Sequence, residues 1–133
     1  MAKSFSMESL NAAQRRAVQT LQGPVLILAG AGTGKTRTVT CRIAHMVDRG
    51  ISPKSILAVT FTNKAALEMR ERVGQMVDRK AARQIMVSTF HSLCVRILRE
   101  DIGRLGYKTN FTIYSGSEPV SYTHLRAHET KAN

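Results

Sequence analysis

Two hydrophobic rhythms alternate along this chain. Residues 25–29 (VLILA), 56–59 (ILAV) and 85–87 (IMV) are continuous apolar runs with β-branched members, bounded by turn residues. They are too short for helices and suit buried strands. Residues 111–114 (FTIY) alternate and read as a fourth strand. Between the runs the apolar residues recur at helical spacing. Leu10, Ala13, Ala17, Val18 and Leu21 mark a helix over 9–21, where Asn11 followed by Gln14 has the form of a capping box. Val39, Ile43, Met46 and Val47 mark a second, closed by Arg49 and a C-cap at Gly50. Ala65, Met69, Val73, Met76 and Val77 mark a third, with Lys64, Glu68, Arg70, Glu71 and Arg72 on its solvent face. Phe90, Leu93, Cys94, Ile97 and Leu98 mark a fourth, which Ser88 or Thr89 can cap, and residues 80–83 read as a basic link.

Strands alternating with helices predict an α/β fold, a mostly parallel sheet with helices on both faces. Ligands of such sheets bind outside the carboxyl ends of the strands. That places the loops at 30–36, 60–64 and 88–91 on one edge.

The first of these loops carries the most specific chemistry. Residues 24–37 read PVLILAGAGTGKTR: strand, glycine-rich loop, Gly-Lys-Thr, helix, which is the phosphate-binding P-loop. Glycines let backbone N–H groups turn inward onto an oxyanion without Cβ obstruction. The following helix adds its unpaired N–H groups and positive dipole end. Lys35 is expected to reach the β- and γ-phosphates of ATP, and the Thr36 hydroxyl to ligate Mg²⁺. The strict pattern begins with Gly where this chain has Ala29, which is still small.

A chain of 133 residues, 43% hydrophobic, is one domain's worth of ordinary globular sequence. No apolar run approaches the roughly 20 residues of a membrane span, and the first ten residues hold no apolar signal core. The net charge of +11 changes the picture, because so basic a domain favours a polyanionic partner. Cys41 and Cys94 fall on or beside helical stripes and read as reduced core residues. Phe61 and Phe90 stand just past strand ends beside Thr, Asn, Lys and His, the arrangement that stacks bases of single-stranded nucleic acid, although each ring could equally be core. Lys64 is either near phosphate or an exposed lysine at a helix start, and His91 is at best a polar contact.

Four segments together carry a family resemblance: LNAAQRRAV with Gln14, AGAGTGKTR from Ala29 to Arg37, TFTNKAALEMR from Thr60 to Arg70, and TFHSLCVRILR from Thr89 to Arg99. Their order and spacing resemble the UvrD/Rep/PcrA-type DNA helicases over about residues 10–114. The resemblance implies a partial RecA-like P-loop domain at 9–114, after an N-terminal tail at 1–8. It also implies an ATP-dependent DNA helicase that moves 3′ to 5′ on single-stranded DNA and opens duplex junctions. A bacterial-type, DNA-associated cytoplasmic location goes with it. By position, Gln14 would read adenine. Ala29, Gly30, Ala31, Gly32, Thr33, Gly34, Lys35 and Thr36 would hold the triphosphate and Mg²⁺, with Lys35 and Thr36 catalytic and Arg37 near the nucleotide. Phe61, Thr62, Asn63 and Lys64, with Thr89, Phe90 and His91, would line the DNA track.

Hydrolysis also needs an acidic residue at a strand end and a glutamate to activate water. No apolar run here is followed by Asp-Glu; the one adjacent acidic pair, Glu100-Asp101, ends a helix. The family's arginines from a second RecA-like domain have no counterpart in these residues. The chain is therefore expected to be the part of a motor that precedes its Walker B strand, inactive alone. From residue 115 the text departs from the family, and PVSYTHLRAHET resembles a translated sequencing adapter. Residues 115–133 are set aside as a non-native tail, and its His124 and His128 lack the further ligands a metal site needs. Three alternatives remain: a stand-alone nucleotide or single-stranded-DNA-binding module, the start of a helicase–nuclease fusion, and a small-molecule kinase. The last would need an acceptor-site acid and an Arg-rich lid that neither aromatic segment supplies.

Overall fold

The computed structural model describes residues 7–30, 32 and 34–113. The chain divides into two compact units, residues 1–95 and 96–133.

In the first unit a 3-10 turn, Met7–Ser9, leads into α1, Ala12–Gln19. The capping box forms: Asn11 Oδ1 accepts from Gln14 N at 2.9 Å and Gln14 Oε1 accepts from Asn11 N at 3.1 Å. Two orphan donors of the helix start are thereby satisfied. The second helix, α2, runs Lys35–Asp48. It packs on α1, and the Arg42 guanidinium donates to the carbonyl of Ala17 across that contact. Thr38 and Thr40 are buried in α2, an unusual load for hydroxyls. Each returns its proton one turn back, Thr38 to Gly34 O at 3.1 Å and Thr40 to Thr36 O and Arg37 O at 3.1 and 3.0 Å. The chain then turns at Gly50, whose φ of +84° is a glycine conformation.

Strand β1, Leu57–Thr60, is followed by α3, Asn63–Met76, then α4, Arg79–Gln84, and β2, Met86–Thr89. The strands pair in parallel, Leu57 opposite Met86 through Thr60 opposite Thr89. Parallel pairing requires a long crossover, and α3 with α4 supplies it. The residues expected to be a basic link, 80–83, are thus helical. Asp78 explains this, since its Oδ1 accepts from Lys80 N and Ala81 N, both at 2.9 Å, and caps a turn whose Ala81 is buried. The main core gathers Ile43 and Ala44 of α2, Ala58 and Val87 of the strands, and Met69 and Val73 of α3, with Ile56, Ile85, Ala66, Val77 and Ala81. A smaller cluster joins Leu10, Val18 and Cys41. The α/β class and the parallel sheet follow the hydrophobic pattern.

Two expected strands are not strands here. Residues 25–29 form no strand ladder, with Leu26 83% and Leu28 86% exposed. Nor do residues 111–113 pair, and Tyr114 lies outside the described residues. An apolar run becomes a strand only when a neighbour satisfies its backbone N–H and C=O groups. Among the described residues β1 and β2 pair only with each other. Cys94 also departs from expectation: it is exposed on α5, Phe90–Asp101, a helix with no buried residue, whereas Cys41 is buried.

The second unit takes up α5 from Arg96. Ion pairs join Arg96 to Glu100 at 3.6 Å and Arg104 to Asp101 at 3.1 Å. All four side chains are largely exposed, so each pair is worth at most about 1 kcal/mol. A 3-10 turn, Ile102–Leu105, ends at Gly106 in the left-handed region. The sequence read as an adapter-like tail lies outside the described residues, as do His124 and His128.

Candidate nucleotide and nucleic-acid site

The glycine loop is shaped by what its backbone must do. Gly32 has φ +77° and Gly34 φ +85°, values that cost an L residue roughly 1–2 kcal/mol. Gly34 is the residue from which α2 springs, and no side chain caps it. The first N–H groups of a 14-residue helix therefore face outward with the positive end of its dipole. Lys35 folds back over the loop, its Nζ donating to Ala29 O at 2.7 Å and Gly30 O at 2.8 Å. An ammonium has three donors, so the loop carbonyls use two and hold the charge at the helix mouth. Thr36 and Arg37 are exposed on the first turn. Ala31 and Thr33 lie outside the described residues.

Gln14 reaches this loop from α1. A Cβ added to Gly34 would stand 3.1 Å from Gln14 Nε2, so the amide lies directly against the loop. Capping and ligand roles are therefore compatible in one side chain: Oε1 closes the capping box while Nε2 faces Gly34. A cavity of about 670 Å³ opens here, lined by Gln14, Lys35 and Thr38 with the unpaired run at 25–29. Its size falls in the range of small-ligand pockets, about 300–1,000 Å³. Donor helix end, lysine, glycine approach and amide together are the kinds of group that a polyphosphate and a base edge would each bond. Among the described residues no group of three His, Cys, Asp or Glu could cage a metal. The donor set suits a hard cation held by one hydroxyl, Thr36, and by phosphate oxygens.

Behind this turn Arg37 bonds the buried Cys41 thiol. Burial pushes the Cys41 pKa up, and the charge and hydrogen bond of Arg37 pull against that rise without cancelling it.

The second and third loops leave the sheet together. Because Thr60 pairs with Thr89, Phe61 and Phe90 are the next residue on each strand at the same edge. Their rings meet edge to face, centroids 6.4 Å apart and planes at 70°. Phe61 is 87% and Phe90 55% exposed, so neither ring is core. The hydroxyls beside them have structural duties. Thr62 Oγ1 accepts from Ala65 N at 3.1 Å and caps α3; Thr89 Oγ1 accepts from Ser92 N at 3.2 Å and donates to Ser92 Oγ at 3.0 Å. Asn63, Lys64 and His91 are exposed beside the rings. The edge thus presents apolar faces ringed by polar groups, a surface on which flat, apolar-faced rings can stack.

Two contacts go beyond the sequence reading. Arg70, expected on a solvated face, donates from Nη2 to Val87 O at 2.8 Å and ties α3 to β2. Helices α2 and α3, which begin at the glycine loop and at the aromatic edge, pack on each other. Helical spacing from Asn63 could have suggested the first by placing Arg70 two turns into α3 on the side of Ala66 and Val73; nothing local could have suggested the second.

An α/β fold with a glycine loop opening a helix, and an aromatic edge at the ends of its parallel strands, defines a P-loop protein by class. The pattern of the UvrD/REP helicase N-terminal domain matches residues 10–132. The chain belongs to that family. It is 52% identical over 116 residues to the ATP-dependent DNA helicase PcrA of Staphylococcus epidermidis and to that of Staphylococcus aureus. Those matches cover 86% of this chain and 16% of each relative, so the chain spans about a sixth of their length. No helix among the described residues is long and apolar enough to cross a membrane.

Proposed function

We propose that the chain is the nucleotide-binding opening part of an ATP-dependent DNA helicase, one that moves 3′ to 5′ on single-stranded DNA and separates duplex at junctions. In this reading Gln14 recognises the adenine edge. The loop from Ala29 to Thr36 cradles the triphosphate, Lys35 exchanges its bonds to the loop carbonyls for the β- and γ-phosphates, and Arg37 flanks the nucleotide. Thr36 contributes its hydroxyl to Mg²⁺, which neutralises phosphate charge when bound. Phe61 and Phe90 stack bases, with Thr62, Asn63, Lys64, Thr89 and His91 along the backbone. The reading uses residues 9–114 and assigns no role to 115–133.

The observation that carries it is the packing of α2 on α3. One helix starts at Lys35 and the other at Asn63, beside Phe61, so occupancy of the glycine loop can bias the grip of the aromatic edge. The chain alone is expected to bind without turnover, because no Asp-Glu follows an apolar run to order the attacking water.

The test is anisotropy of a labelled oligothymidine with and without a non-hydrolysable ATP analogue. The expected result is a nucleotide-dependent change in affinity. Lys35→Ala should abolish the nucleotide effect and leave nucleotide-free DNA binding intact, and Phe61→Ala should weaken DNA binding while leaving direct binding of a fluorescent ATP analogue intact. Equal loss of both activities in both variants would overturn the assignment of separate loops. DNA-stimulated ATP turnover by the chain alone would overturn the claim that the unmatched acidic and arginine groups are required.

A further inference from the structure

The opposite edge of the sheet carries a second set of charges. The 3-10 turn Pro53–Ser55 enters β1 and α4 enters β2. Since the strands are parallel with Leu57 level with Met86, both elements lie at the amino edge, away from Phe61 and Phe90. They touch each other. Lys54 on the turn and Arg79, Lys80 and Arg83 on α4 are all exposed. None makes an ion pair among the described residues, where the two pairs found lie at residues 96–104. Asp78, the carboxylate beside them, spends its Oδ1 on the two N–H groups of the helix start. Lys54 and residues 78–83 together carry four cations and one carboxylate, an excess of three charges.

We propose that this ridge, Lys54–Arg79–Lys80–Arg83, is a second nucleic-acid contact that grips the phosphate backbone of double-stranded DNA. The absence of aromatics from the ridge favours duplex over single strand. Gripping a single strand uses base stacking as well as charge, and the exposed phenyl rings among the described residues of this unit stand at the other edge. A duplex buries its bases and offers one negative charge per about 1.7 Å of axis, which a compact cluster of cations meets through counterion release alone. The strands between the edges have four residues each, about 13 Å at the usual rise. A duplex on the ridge and a single strand on the aromatic edge can therefore be held at once without sharing contacts. The ridge does not depend on the track assignment, since it concerns the other edge.

The test uses the full chain with a labelled blunt 20-base-pair duplex and, separately, labelled oligothymidine, each titrated across a salt series. Each B-DNA phosphate contact adds about 0.9 to the slope of log K against log salt. The quadruple variant Lys54→Gln, Arg79→Gln, Lys80→Gln, Arg83→Gln should lower the duplex slope by about 2–4 and weaken duplex binding at least tenfold at low salt. The charge-keeping pair Arg79→Lys, Arg83→Lys should keep the slope. Phe61→Ala should weaken oligothymidine and leave the duplex slope unchanged, which separates failure of the ridge from failure of the track. If the quadruple variant loses its far-UV circular dichroism, Arg79→Gln and Arg83→Gln singly should each lower the slope by about one. An unchanged duplex slope overturns the proposal. So does a loss confined to oligothymidine, or a slope change seen with polyglutamate and not with duplex, which would mark the ridge as a site for acidic protein.

Discussion

Gly34 is where the glycine loop, the start of α2 and the cap of α1 meet, and replacing it with alanine separates two effects. The first is backbone strain. At φ +85° an L residue costs roughly 1–2 kcal/mol, and Gly32 at +77° should cost the same. The second belongs to Gly34 alone: its new Cβ would stand 3.1 Å from Gln14 Nε2, whereas a Cβ on Gly32 meets nothing within 4 Å. The neighbour is the far end of a flexible side chain, so it yields, but yielding draws Oε1 from the Asn11 N–H and opens the capping box. A lost bond of this exposed kind is worth about 0.5–1 kcal/mol. Gly34→Ala should therefore destabilise by about 1.5–3 kcal/mol in all and Gly32→Ala by about 1–2. Urea unfolding of both variants, alone and with Gln14→Ala, closes a double-mutant cycle. Gly34 and Gln14 should couple by about 0.5–1 kcal/mol, and Gly32 and Gln14 within error of zero. Equal coupling for both glycines would refute the reasoning, because the amide would then not be what distinguishes them.

Other consequences are as direct. Arg70→Met removes the bond to Val87 O while keeping an apolar stem, and should lower the urea midpoint by the equivalent of about 1–2 kcal/mol with an unchanged slope. Asp78→Ala removes the cap of α4 and should cost about 1 kcal/mol; Asp78→Asn, which can still accept, should recover most of it. Cys94 should react with Ellman's reagent at once and Cys41 only as the chain opens, so two thiol phases of equal amplitude are expected and a single fast phase would contradict the burial of Cys41. Burial raises the Cys41 pKa, so the folded chain keeps that proton to higher pH than the unfolded one. Its contribution is complete below the unfolded value of about 8.5 and is lost as pH rises through the folded one. The melting temperature of the native chain should fall toward that of Cys41→Ala as pH rises above about 8.5, and parallel curves would contradict it.

The sequence made the helices and the two inner strands legible because each carries its own local signal. Asn11 and Gln14 announce a capping box, Gly-Lys-Thr announces a helix mouth, and the stripe through Met69 and Val73 has no competing period. The run at 25–29 misleads because strand formation is a pairing event, and composition says nothing about whether partner backbone is at hand. α4 was missed because Arg79, Lys80 and Arg83 mask the one buried residue, Ala81, that anchors it, while the cap comes from Asp78 just outside the charged stretch. Cys94 sits at core spacing on a helix that has no core to face. In the candidate site, Gln14, Lys35, Phe61 and Phe90 could each be singled out by motif. That Gln14 touches Gly34, and that the two phenyl rings touch each other, depends on register and packing across many residues of sequence.

The exposed apolar run at 25–29 also bears on how the protein behaves in a tube. Leu26 and Leu28 stand in water beside backbone groups with no ladder partner, and within the run no charge interrupts them. Such a segment completes itself most readily with a copy of its own kind, one edge templating the next. The chain's strong positive charge slows that encounter at low ionic strength, and added salt shortens the range of the repulsion to about 10 Å at 0.1 M. Storage life should therefore shorten with both concentration and salt, and a single lysine in place of Leu26 would lengthen it.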